Sequence, residues 1–337
     1  AGSVHMPYGG VHQMTPTQSM VAKIPLLKGD TTTGTIMAHG YNPFLTSWSP
    51  YHGAVYAVVD SVAKTVAAGG DYKGIRFTFQ EYFKRLGKDA SRWGEPLSAL
   101  LGAYHAQSVL GLPSIGGKDS MSGTFHDIDV PPTLVSFAVD VCNVKDVISP
   151  EFKEAGHDVI LATVKRDAKE MPDFDQLKEL YTTIHQLILE KQIISAYAVG
   201  IGGIAEAVTK MGFGNQIGLT IEASLDNCTL FTPDYCSLIL ELAEGAGAVA
   251  ASIDGIQIGK TTDKAVITKW AVELDVISLQ KQWEKPLEHV FPAIAEAETT
   301  TVLDEVKKYD QNHISKNKIA RQKLFIPEFP GTNCEYD

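Results

Sequence analysis

The residues best equipped for chemistry stand together in Ser114-Ile115-Gly116-Gly117-Lys118-Asp119-Ser120-Met121-Ser122-Gly123. Adjacent glycines let backbone N–H groups turn inward and let an anion approach closely. Lys118 adds a point charge for phosphate, Asp119 is a hard oxygen donor suited to a metal ion, and the Ser120 hydroxyl can donate to a phosphate oxygen. The set therefore suggests phosphate binding, with Gly116, Gly117 and Lys118 as the anion contacts. The competing reading is a polar loop whose Lys118 and Asp119 are simply solvated. The Walker A spacing G-x-x-x-x-G-K-[ST] cannot be fitted here.

Several elements must position this stretch. Residues 52–68 carry Ala54, Val55, Val58, Val59, Val62, Ala63 and Val66 at helical spacing, with Ser49-Pro50 as entry and Gly69-Gly70 as stop. Asp60 and Lys64 stand one turn apart and read as a solvated pair on its exposed face. Residues 74–79 read as a strand leading into Gln80-Glu81-Tyr82-Phe83, which either flanks a ligand or is a loop packed by its aromatics. A second helix is expected over 95–110, with Pro96 in its first turn and Leu97, Leu100, Leu101 and Tyr104 along one face. After the glycine-rich stretch, 133–141 is a strand.

A new pattern begins after 150–156. Strands are expected over 157–164, 193–199 and 218–221, and helices over 174–191 and 204–211. Residues 233–243 read as a helix, 248–253, 256–259 and 265–277 as β, and 283–289 as helical. Strands alternating with helices imply α/β or α+β layers, divided as 1–150 and 151–295. The charged stretch 296–322 reads as a linker, and 323–327 as the first strand of a third domain.

Size and composition bound the function. A chain of 337 residues, 44% hydrophobic and 20% charged, can bury large cores over about two domains. A net charge of −11 argues against a general nucleic-acid or membrane-surface binder, though not against a phosphate ligand held by local positive potential. Cys142, Cys228, Cys236 and Cys334 form no C-x-x-C pair, which points to reduced, cytoplasmic usage without a zinc site. There is no apolar run of membrane-spanning length and no charged-then-apolar leader. The turn-like ending Thr332-Asn333-Cys334-Glu335-Tyr336-Asp337 leads us to expect a piece of a longer protein.

The loop Gly116-Gly117-Lys118-Asp119-Ser120-Met121-Ser122 resembles that in the second synthetase half of phosphoribosylformylglycinamidine synthase, the large purine-biosynthesis amidotransferase. The helix pattern from Ala54, the run from Leu177 to the paired glycines Gly202-Gly203, and Phe329-Pro330-Gly331-Thr332-Asn333-Cys334, which looks like the start of that family's glutaminase domain over 323–337, follow in the family's order. The resemblance implies the aminoimidazole ribonucleotide synthetase-like fold, with paired N-terminal and C-terminal domains. It implies an ATP- and glutamine-dependent ligase that converts formylglycinamide ribonucleotide to its amidine with Mg²⁺. Carried over by position, Gly117 contacts the nucleotide and Ser120 the substrate. Lys118 stands where smaller-subunit members of the family carry a metal-binding Asn; an ammonium cannot ligate Mg²⁺, so Lys118 is read as a phosphate contact, as in the large-subunit pattern that also carries Lys, and Asp119, by its own chemistry, is the candidate metal ligand. No catalytic residue is assigned in this chain. The implied partners are the family's first synthetase half and its glutaminase, with a small-molecule nucleotide substrate and a homodimer of this chain as a further expectation.

The family's auxiliary nucleotide site takes its metal ligands from an Asp, a Glu and Asn one turn apart, and an Asp in a His-Asp-x-Ser-Asp-Gly-Gly turn. Here the corresponding positions read Gln18 and Ser19, Asp60 and Lys64, and Ala198-Val199-Gly200-Ile201-Gly202-Gly203. Too few hard oxygens remain for a magnesium-bridged nucleotide, so that site is expected to be lost. Cys334 follows a first strand and reads as a loop cysteine, with the glutaminase nucleophile further on. Two other functions compete: a self-sufficient kinase or synthetase of the same superfamily, and a non-catalytic scaffold half.

Overall fold

Alternation of buried and exposed side chains builds the first sheet. In the strand Thr33–Gly40, Gly34, Ile36, Ala38 and Gly40 face inward while Thr33, Met37 and His39 face out. The computed structural model describes residues 2–292 and 325–327. Its five-stranded sheet runs Ser19–Lys23, Thr33–Gly40, Thr133–Asn143, Arg76–Tyr82, Ser114–Lys118. All neighbours are antiparallel except the last pair, which is parallel. The helix Pro50–Ala67 covers the inner face, capped by the Ser49 side chain and started by Pro50. It packs so closely that a Cβ on Gly40 would lie 2.1 Å from the Ala57 carbonyl oxygen.

The helix Ala90–Leu110 begins earlier than its apolar pattern suggests, because Asp89 caps it, and it stops at Gly111 in the left-handed region. It buries Ala99, Gly102, Ala103, Ala106 and Leu110. The expected apolar face is therefore corrected: Leu97, Leu100, Leu101 and Tyr104 point outward. Small residues win the inner face since a Cβ on Gly102 would sit 2.2 Å from the Tyr51 carbonyl oxygen, leaving no room for leucine there.

A seven-stranded sheet runs Ile193–Ala198, Leu238–Leu242, Asp158–Ala162, Ile256–Thr262, Gly218–Ile221, Val266–Lys269, Val272–Asp275. Only Gly218–Ile221 and Val266–Lys269 pair in parallel. The helix Phe174–Leu189 buries Leu177, Leu180, Tyr181, Ile184, Leu187 and Ile188, the face its period predicts. Two elements exchange their expected types: Leu238–Leu242 is a strand and Ala248–Ser252 a helix. All five residues of Leu238–Leu242 are buried, so the strand has no polar alternation to announce it. One apolar core joins Val55, Val59 and Phe77 to Leu177, Tyr181 and Leu240, and residues 1–290 form one compact unit. The linker, the 323–324 part of the expected third-domain strand and Cys334 lie outside the described residues; Phe325, Ile326 and Pro327 have no regular structure.

Candidate functional site

The glycine-rich stretch is a strand before it is a loop. Ser114–Lys118 forms the sheet edge, with Thr78 beside Gly116, Phe79 beside Gly117 and Gln80 beside Lys118. Placed at the carboxyl end of a parallel strand pair, the following residues occupy the position where open α/β sheets present ligand-binding loops. The loop is tied back by three backbone bonds: Ser120 N–H donates to Glu81 O at 3.1 Å, Phe83 N–H to Ser120 O at 2.9 Å, and Gly123 N–H to Phe83 O at 2.9 Å.

Gly116, Gly117, Lys118 and Asp119 are all exposed and Ser120 is half-buried. Lys118 Nζ donates to the Asp119 carbonyl at 3.1 Å and, among the described residues, makes no ion pair. Its charge is thus free for an incoming anion. The hydroxyls of Ser120 and Ser122 lie 2.9 Å apart. Gly116 has open space where a Cβ would point, but at Gly117 a Cβ would stand 2.4 Å from the Phe79 carbonyl oxygen. The neighbouring strand thus gives a reason for glycine at 117 that involves no ligand.

Sequence reasoning left Glu81 between two roles, and the structure joins it to the loop. It is 8% exposed, and burial, reinforced by the Asp119 charge, raises its carboxyl above the ordinary value. The negative charges of Glu81 and Asp119 therefore act on each other across the strand pair, and a cation bound at the loop would relieve that repulsion. Register between residues 80 and 118 is what unites them, and no local pattern in the chain reports it.

A second polar cavity, of about 290 Å³, is lined by Gln18, His39, Asp60, Lys64, Tyr197 and Tyr235 among others. Asp60 and Lys64 are not the solvated pair their spacing suggests. Asp60 is buried, and Lys64 Nζ lies 2.7 Å from its Oδ2 while also donating to the His39 carbonyl at 2.9 Å. Burial raises the Asp60 carboxyl, and Lys64 draws it back down. His39 is held below its ordinary value by burial and by the Lys64 charge. The Gln18 amide clamps the second sheet, its Nε2 donating to Ala198 O at 2.9 Å and its Oε1 accepting from Ala198 N–H at 2.7 Å. The cavity's two carboxylates, Asp60 and Glu206, are each already paired with an ammonium, of Lys64 and Lys210, so these residues do not fit a divalent metal. Among the described residues no cluster of three or more His, Cys, Asp or Glu is placed to hold a metal ion, and no helix is long and apolar enough to cross a membrane.

No family model matches the chain. It is 23% identical over 296 residues to phosphoribosylformylglycinamidine synthase subunit PurL of Thermoplasma volcanium, covering 77% of this chain and 37% of that protein. Against the Thermoplasma acidophilum subunit PurL it is 22% identical over 300 residues, 76% of this chain and 37% of the relative. Among solved structures, PurLQS from Thermotoga maritima superposes with a TM-score of 0.61 at 14% identity, over 74% of this chain and 45% of that one. AaThiL complexed with AMPPCP and TMP superposes with a TM-score of 0.54 at 13% identity, over 76% and 88%.

These likenesses define the class first: a layered α/β protein of the aminoimidazole ribonucleotide synthetase-like fold. Within that class, the curated relatives that the sequence matches are phosphoribosylformylglycinamidine synthase subunits PurL. The chain spans 37% of the length of the two curated relatives it matches.

Proposed function

We propose that this chain is the second synthetase half of a phosphoribosylformylglycinamidine synthase and supplies a phosphate-binding loop to its active site. The observation that carries the reading is the exposed, unpaired Lys118 at the carboxyl end of a parallel strand pair, followed by Asp119 and the Ser120 hydroxyl. One of the superposing structures is Thermotoga maritima PurL complexed with ATP, with a TM-score of 0.60 at 13% identity over 82% of this chain and 47% of that one.

In this reading Gly116, Gly117 and Lys118 receive the ATP phosphates and Ser120 contacts the formylglycinamide ribonucleotide. Asp119, backed by Glu81, would hold magnesium, which when bound neutralises charge at the transferred phosphoryl group. ATP phosphorylates the substrate amide oxygen, and ammonia released from glutamine displaces that phosphorylated oxygen to give the amidine. This chain contributes the binding groups. Residues 1–150 and 151–295 are its two synthetase-like domains, 296–322 its linker and 323–337 the start of a glutaminase. The first synthetase half and the glutaminase are its partners in the cytoplasm, and the pairing of two such sheets favours a dimer of the chain alone. The Asp60–Lys64 pair supports the loss of a second nucleotide site in this half.

The test is calorimetric titration of ATP into the purified chain and its Lys118→Ala and Ser120→Ala variants. A charge-assisted hydrogen bond contributes roughly 1.5–3 kcal/mol, so Lys118→Ala should weaken ATP binding about tenfold to a hundredfold. The melting temperature should stay put, because an exposed lysine contributes little to the core. Equal ATP affinity in wild type and Lys118→Ala would overturn the assignment and favour a scaffold half.

A further inference from the structure

A second kind of site lies on the seven-stranded sheet, built from elements that the loop does not use. A cavity of about 570 Å³ opens between the helices Gly203–Phe213, Asn227–Phe231 and Val276–Glu284 and the hairpin of Val266–Lys269 with Val272–Asp275. Val208, Phe213, Leu230, Ile267 and Leu279 make its walls carbon-rich. Its volume is that of a small-molecule pocket.

Lys269 lines this cavity and is only 8% exposed. Its ammonium lies 3.6 Å from the centre of the Trp270 ring, and its hydrogen bond to the Ala223 carbonyl is long, at 3.4 Å. Among the described residues it makes no ion pair with a carboxylate. Lys210, also on the wall, is bound to Glu206 and brings no net charge. The cavity thus combines apolar walls with one buried cation that lacks a counter-ion. A buried charge is costly unless paired, and an anionic group beside Lys269 would pair it.

We infer that this cavity binds an amphipathic monoanion, with its carboxylate on Lys269 and its apolar body between Phe213, Leu230 and Leu279. A neutral apolar molecule would fill the walls and leave the ammonium unpaired. A dianion would bring one charge more than the cavity can match. Trp270 and Trp283 both line the space, which gives the binding an optical signal.

Decanoate and 1-decanol, each below its aggregation limit, serve as probes in calorimetry and tryptophan emission with the purified chain. Decanoate should bind saturably at one site and shift the emission, and decanol should bind at least about tenfold more weakly, the lower end of the range for a charge-assisted contact. Lys269→Met should weaken decanoate about tenfold to a hundredfold and leave decanol unchanged. Lys269→Arg keeps the charge and should retain decanoate binding, which guards against a misfolded methionine variant. No saturable decanoate binding, equal binding of acid and alcohol, or undiminished decanoate binding by a folded Lys269→Met variant would each overturn the inference. None of these outcomes bears on ATP at Lys118, which is read in a separate titration.

Discussion

Lys64→Met isolates the energetics of the polar cavity. In the native chain the Asp60 side chain is 6% exposed and its Oδ2 lies 2.7 Å from the ammonium of Lys64. Removing one partner of a buried ion pair leaves an uncompensated charge, which costs about 3–5 kcal/mol. At roughly 2–4 °C per kcal/mol for a unit of this size, the melting temperature at neutral pH should fall by roughly 6–20 °C. The pH dependence has a definite sign. Burial raises the Asp60 carboxyl above its ordinary 3.8, and Lys64 opposes the rise. Without Lys64 the folded-state value climbs further above the unfolded one, so the folded state holds the proton more tightly. That contribution is fully present below the unfolded value and is lost as pH rises through the folded value. The deficit relative to wild type should therefore be largest at pH 8 and shrink towards pH 5. Asp60→Asn combined with Lys64→Met should recover at least half of the loss, because no charge is left unpaired. Thermal melts of the four proteins at both pH values, read as a double-mutant cycle, supply the measurement. A deficit below about 1 kcal/mol, the range of an exposed pair, or one that does not shrink on acidification, would refute the reasoning.

Three further outcomes are expected. Glu241 is fully buried and accepts from His157 Nδ1 and the Lys153 N–H, both at 2.8 Å, so Glu241→Ala should cost about 3 kcal/mol or more in urea unfolding. Gly117→Ala should lose about 1–3 kcal/mol of stability in the ligand-free chain, since its Cβ would meet the Phe79 carbonyl oxygen at 2.4 Å; a melting temperature equal to wild type would contradict the strand register. Leu97→Ser with Leu101→Ser should change the unfolding free energy of the monomer by no more than about 0.5 kcal/mol per site, as both leucines face outward.

What the chain discloses about itself follows the range of each interaction. The Pro50–Ala67 and Phe174–Leu189 helices were legible because period, cap and stop all lie within twenty residues of one another. The strand Leu238–Leu242 was not, because a strand buried on both faces shows no buried–exposed alternation, even its Glu241 being buried, and such a run is shared with a buried helix. The site divides along the same line. Gly116, Gly117, Lys118, Asp119 and Ser120 suggest a phosphate chemistry by type alone, within five consecutive residues, and that reading is the one proposed above. Glu81 feels the Asp119 charge only through the parallel pairing of Arg76–Tyr82 with Ser114–Lys118. Asp60 and Lys64 looked solvated because the residues that share their cavity, Tyr197 and Tyr235 among them, come from the second sheet. Gly117 shows why the distinction matters for mechanism. Its type suggested close approach by an anion, whereas the structure sets a carbonyl of the adjacent strand against it. A loss of activity in Gly117 variants therefore cannot distinguish a broken strand from a missing phosphate contact. Lys118 and Ser120, which carry no comparable packing constraint, are the positions where affinity reports on binding.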